Sequence, residues 1–156
     1  MDLRYEHAYQ GTPDAVAALM GNPEFIGDIA EHAGATSHTV DVSDEVTTLS
    51  MAVPAPTDIA KVIGATVQIE QIFRWEPSDG SGTRRGTVDV RVKGVPVAAK
   101  AVAELVPAAD GGAAGTYVGE LTVNIPLVGK RIETQAAPIV RSAFAGIERR
   151  ANAWLS

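Results

Sequence analysis

The residues best suited to chemistry stand together near the start of the chain, where Leu3, Tyr5, His7 and Tyr9 alternate with Asp2, Arg4, Glu6 and Gln10. An imidazole among phenols can move protons: burial shifts the histidine pKa, and a neutral ring polarises a ligand oxygen. General acid–base catalysis needs such a group within hydrogen-bond reach of substrate. His7 is therefore the candidate catalytic residue, with Tyr5, Tyr9 and the later Tyr117 as phenol partners and His38 as a more distant imidazole. The same residues have a structural use, because a lone inward histidine is commonly hydrogen-bonded to a phenol or carbonyl.

Other chemistries find little support. Strand alternation turns Asp41, Glu70, Glu76, Asp89, Glu104 and Glu120 to the outer face, so no carboxylate pair converges inward. His7, His32 and His38 lack metal-ligand spacing, and no metal or cofactor is expected. The clusters Gly80-Ser81-Gly82 and Gly111-Gly112 read as hairpin turns and not as phosphate cradles. Cysteine is absent, which excludes thiol nucleophiles and disulfides.

Charge narrows the partners. The formal net charge is −6, and up to Glu45 nine acids face Arg4 alone (net −8), leaving ten acids and twelve bases afterwards (net +2). Nucleic acid is not an expected partner. The opening residues contain no apolar leader core, and no apolar run approaches the ~20 residues that span a bilayer. A cytoplasmic protein of one domain, residues 1–156, is the expectation, with the oligomeric state left open.

The elements that must position these side chains follow from periodicity. Residues 2–10 read as a half-buried strand. Thr12-Pro13-Asp14 and Asn22-Pro23-Glu24 each supply a cap, a proline at the first helical position and an acid in the positive first turn, predicting two short helices. From Thr36 the period becomes two, with turns at Ser43-Asp44, 79–82, 94–96 and 110–112, which describes an antiparallel meander. Ile59, Val62 and Ile63 form a short amphipathic turn after a Thr57 or Asp58 cap, suited to a lid or to a fixed packing element. Ile132 to Trp154 carry a sustained helical stripe, interrupted by Pro138, which should bend the helix or delay its regular part. Arg84, Arg85, Arg149 and Arg150 read as solvated charges.

Strand, two short helices, six-strand meander and long closing helix: in this order the chain resembles the helix-grip, α+β fold of the START-like (SRPBCC) superfamily. The segments Tyr5-x-His7, Trp75-x-Pro77, 85–88, 94–97 and 126–133 resemble an uncharacterised, mainly actinobacterial branch. The resemblance implies a curved sheet around the last helix and an apolar cavity between them, used in the superfamily for lipids, sterols or polyketides. It carries over no catalytic residue.

The inner face reads as overwhelmingly apolar, and Ala99, Ala101 and Ala103 are consecutive inward positions of one strand. Small side chains there either let the last helix approach closely or leave room for a hydrophobic small molecule. The second case makes Tyr5, His7, Tyr9, Met51, Gln71, Phe73, Ala99, Ala101, Ala103, Tyr117, Ile139 and Phe144 the candidate binding residues. A cyclase, aromatase or hydrolase using His7 and the inward tyrosines is the alternative, and a partner-binding module without a pocket is a third reading.

Overall fold

The computed structural model describes residues 1–156. The elements run β1 (Asp2–Tyr9), α1 (Pro13–Met20), α2 (Pro23–His32), β2 (Ser37–Ser43), β3 (Val46–Pro54), α3 (Thr57–Ile63), β4 (Thr66–Trp75), β5 (Arg84–Val92), β6 (Val97–Pro107), β7 (Ala113–Val123) and α4 (Gly129–Leu155). The strands form one antiparallel sheet in the order β1-β7-β6-β5-β4-β3-β2. The meander is thus continuous, and β1 joins its far end by pairing with β7. This is the helix-grip arrangement expected from the sequence.

Both proline-headed helices begin at the expected residues. The Thr12 hydroxyl accepts from the Ala15 N–H at 3.2 Å, and the Asn22 side-chain oxygen accepts from the Glu24 N–H at 3.0 Å. Helix α3 differs from expectation: Pro56 occupies the cap position, no side chain caps it, and Thr57 and Asp58 lie in its first turn. Strand β7 ends before Ile125. Helix α4 runs unbroken through Pro138 and starts well ahead of it, so the proline does not delay the helix. Its 27 residues extend roughly 40 Å along the concave face.

Two glycines show how tightly the sheet curls. A Cβ on Gly86 would strike the Arg74 carbonyl and the Trp75 indole, and one on Gly119 would strike the Lys100 carbonyl. Neighbouring backbone approaches too closely there for any side chain.

Packing is uneven along the concave face. Val16, Met20, Phe25 and Ile26 of α1 and α2 are fully buried with Leu49 and Leu105, closing one end of the grip. Helix α4 packs on β1, β7, α1 and α2, and stands off the middle strands. Arg84 is not the solvated charge its sequence context suggests: it is mostly buried, reaching Asp14 of α1 at 3.3 Å and Glu45 of the β2–β3 turn at 3.4 Å. Arg150 likewise anchors α4 to α2, donating from Nε to Asp28 at 2.8 Å. That bond, with one from the Trp154 indole N–H, holds the Asp28 carboxyl below its ordinary range.

Candidate functional site

Where α4 stands off the sheet, a cavity of about 650 Å³ remains. Volumes of about 300–1,000 Å³ are typical of small-molecule sites. The floor comes from inward residues of β3 to β6, including Met51, Val67, Phe73, Val88, Ala99 and Ala101. The roof is α4 through Ile132, Ala136, Ile139, Ala143, Phe144 and Ile147, and α3 with its flanking prolines closes one side through Ile59 and Ile63. The space exists because β6 presents alanines to α4 where β3 to β5 present Met, Phe and Val.

Polar groups in the lining are few. Gln71 projects from the β4 floor. His32, Ser142 and Arg149 are exposed and stand at the mouth, with the Arg149 guanidinium folded back over Gly146. Arg149 makes no ion pair within the protein. Lys100 contributes to the lining from an outward position, level with Asp89 and Glu120 on the neighbouring strands. No Asp or Glu touches the cavity, although the chain has 19 of them.

The expected binding residues therefore divide. Met51, Gln71, Phe73, Ala99, Ala101, Ile139 and Phe144 line the cavity. Tyr5, His7, Tyr9, Ala103 and Tyr117 do not: they sit towards the closed end, where α1, α2 and the C-terminal half of α4 pack on the sheet. Ala103 is fully buried there, so its small side chain serves close packing and leaves no room.

His7 and the phenols form their own closed chain. His7 Nδ1 lies 2.7 Å from the Tyr9 hydroxyl, which lies 2.7 Å from the Tyr117 hydroxyl, and all three residues are buried. Burial lowers the His7 pKa, against a smaller opposing pull from Glu148, and keeps the ring neutral. Burial also raises both phenols, Tyr117 to about 12. The chain can share protons within itself, and each group satisfies the next.

Phe144 is the wall between this chain and the cavity. Its ring stacks on Tyr5 at 4.6 Å and meets Tyr117 edge-on at 5.4 Å, while also lining the cavity. Phe144, with Tyr5 stacked on it, stands between His7 and the cavity. A void of about 10 Å³ beside Phe144, Phe73, Trp75 and Tyr117 marks the same boundary. His38 takes no part, because its ring packs over Gly27 of α2.

The expected binding set lacks the residues of the mouth and side wall, and also floor and roof residues such as Val67, Val88, Ile132 and Ile147, whose signal was the strand and helix periodicity. Ile59 and Ile63 carried a signal, the amphipathic spacing of α3. Arg149 carried none, since its place depends on how α4 rotates against the sheet.

Comparison with solved structures shows the same fold at low sequence identity. TTHA0849 of Thermus thermophilus is similar with a TM-score of 0.66 and 17% identity, over 100% of both chains. Ara h 8.0201 follows at 0.60 and 13% identity, over 99% of this chain and 97% of that one. A point mutant of norcoclaurine synthase from Thalictrum flavum, solved in complex with a transition-state analogue, gives 0.59 and 14% identity over 100% and 96%. A search of curated proteins returns no match. The model of one family, described as "Protein of unknown function (DUF2505)", matches residues 4–155, from β1 to the end of α4, and the chain belongs to that family.

Proposed function

We propose that the protein binds a hydrophobic small molecule, lipid-like or polyketide-like, in the cavity between β3–β6 and α4. The single observation that carries this reading is a cavity of about 650 Å³ whose lining is mostly hydrophobic and contains no carboxylate. An empty apolar space of that size would leave its lining without van der Waals partners, and even much smaller core voids destabilise by about 2–5 kcal/mol. An apolar ligand restores those contacts. Gln71 offers one internal hydrogen-bonding group, and Arg149 and His32 favour a ligand whose polar or acidic end lies at the mouth. The norcoclaurine synthase complex is a precedent for a bound small molecule on a similar fold.

The reading is tested by native mass spectrometry of gently extracted protein, and by titrating ligand-stripped protein with the apolar fluorophore anilinonaphthalene sulfonate. Retained mass, or saturable fluorescence displaced by long-chain fatty acids, is the expected result. Protein that carries nothing and leaves the fluorophore dark would overturn the proposal.

A further inference from the structure

The registers place three connections at one end of the sheet, flanked by the 33–36 turn that leads into β2 and by the start of β1. Helix α3 joins β3 to β4 beyond the Pro54–Thr66 pair, and the 93–96 turn joins β5 to β6 beyond the Val92–Val97 pair. The 124–128 loop leaves β7 just past Val123, tied to the 93–96 turn by the Asn124 N–H donating to the Pro96 carbonyl at 2.9 Å. The cavity reaches this end, bounded by Ile59 and Ile63 of α3 and by Val92 and Val97.

Charge is sorted along the strands. These connections and the first turn of α4 carry Lys61, Lys93, Lys130 and Arg131 against Asp58, and Asp2 and Glu31 flank the same end, so four bases stand against three acids, a net +1; all four bases are exposed and form no ion pair. Glu133, the next acid in α4, is occupied by the Val123 N–H at 3.2 Å and the Met1 amino group at 3.8 Å. The turns at the opposite end carry Asp44, Glu45, Glu76, Asp79 and Asp110, and the adjacent Arg84 and Arg85 are held in ion pairs. A chain of net charge −6 thus presents one positive end.

Two local features there run against folding preference. Helices α1 and α2 begin with an acid in the first turn, whereas α4 begins with Lys130 and Arg131 at its positive terminus and has no side-chain cap. Leu127 is fully exposed and has φ of 70°, a left-handed conformation that leucine rarely adopts. The loop that holds it is closed by the Gly129 N–H donating to the Ile125 carbonyl at 2.9 Å, so its projection is built into the turn. Val62 of α3 is also exposed at this end.

We propose that this end docks on an anionic lipid bilayer, with Lys61, Lys93, Lys130 and Arg131 against the headgroups and Leu127 entering the interface. Unpaired bases around a projecting aliphatic side chain match a surface that is negative outside and apolar beneath. A nucleic-acid backbone would match the bases and leave Leu127 without a partner. The docking surface goes beyond the ligand-binding reading and does not depend on the cavity being filled.

The test is co-sedimentation of the full chain with phosphatidylcholine vesicles, with and without phosphatidylglycerol. Binding is expected to require phosphatidylglycerol and to weaken as salt is raised. At roughly fivefold per basic contact, Lys130→Glu with Arg131→Glu should lose about 25-fold or more. Arg74→Glu with Arg141→Glu, an equal change in net charge away from this end, should retain binding. Leu127→Asn should weaken binding while the melting temperature holds or rises, because asparagine tolerates positive φ. No vesicle binding, equal binding to neutral vesicles, equal loss in the control pair, or equally tight binding to duplex DNA would each overturn the proposal. Fluorophore uptake by the free protein without vesicles tests the cavity separately and should be unaffected by the charge reversals.

Discussion

Ala101→Ile and Ala103→Ile make the same change two positions apart on β6, and the structure predicts opposite signs. Ala101 faces the cavity, level with Val88 on β5 and Gly119 on β7. Isoleucine there adds three carbons to unfilled apolar space. At about 0.8 kcal/mol per buried methylene, ligand-free protein should gain about 2 kcal/mol, or about 4–8 °C in melting temperature for a domain of this size. Ala103 is fully buried beside Tyr117 and Gly86, where there is no such space. Isoleucine there should overpack and cost about 1–3 kcal/mol. The measurement is urea and thermal denaturation of ligand-stripped protein, with fluorophore titration in parallel, and uptake should fall in Ala101→Ile. If Ala101→Ile destabilises as much as Ala103→Ile, α4 closes onto β6 in solution and the cavity reasoning fails.

Further outcomes follow from the buried polar chain and the tight sheet. Tyr9→Phe removes the hydroxyl between His7 and Tyr117 and should cost about 1–3 kcal/mol in denaturation, while leaving fluorophore affinity unchanged because Phe144 separates the chain from the cavity. The lowered pKa of His7 means that the unfolded chain binds its proton first as pH falls. Its contribution should therefore be complete above the ordinary value of 6.5 and decline as pH drops below it, a slope in melting temperature that His7→Gln should flatten. A slope unchanged by that substitution would mean His7 takes up its proton equally readily in the folded and unfolded chain, against its burial. Gly119→Ala should destabilise by several kcal/mol, since its Cβ meets the Lys100 carbonyl on the adjacent strand; a wild-type melting temperature would show the sheet to be more open.

The helix-grip order was legible because each element carries its own local signal. Thr12-Pro13 and Asn22-Pro23 announce helix starts through caps that act within one turn, and the turns at 43–44, 79–82, 94–96 and 110–112 separate strands whose faces alternate. Inward direction at His7, Tyr9, Tyr117, Ala99 and Ala103 followed from the same period of two. What period cannot show is which inward residues share a space. Ala101 and Ala103 look identical in sequence, yet one lines a cavity and the other is sealed. Arg84 and Lys93 both flank turns, yet Arg84 is drawn between Asp14 and Glu45 from distant parts of the chain while Lys93 stays free.

The sequence alone therefore determined element type, element order and facing, which are properties of residues and their near neighbours. The tertiary structure decided the rest. It placed α4 along β1 and β7 and off β3 to β6, put Phe144 between His7 and the cavity, and gathered four unpaired bases at one end of the sheet. Each of these depends on the angle and height at which one long helix crosses a curved surface. That geometry is set by the sum of many small contacts, and no local spacing encodes it.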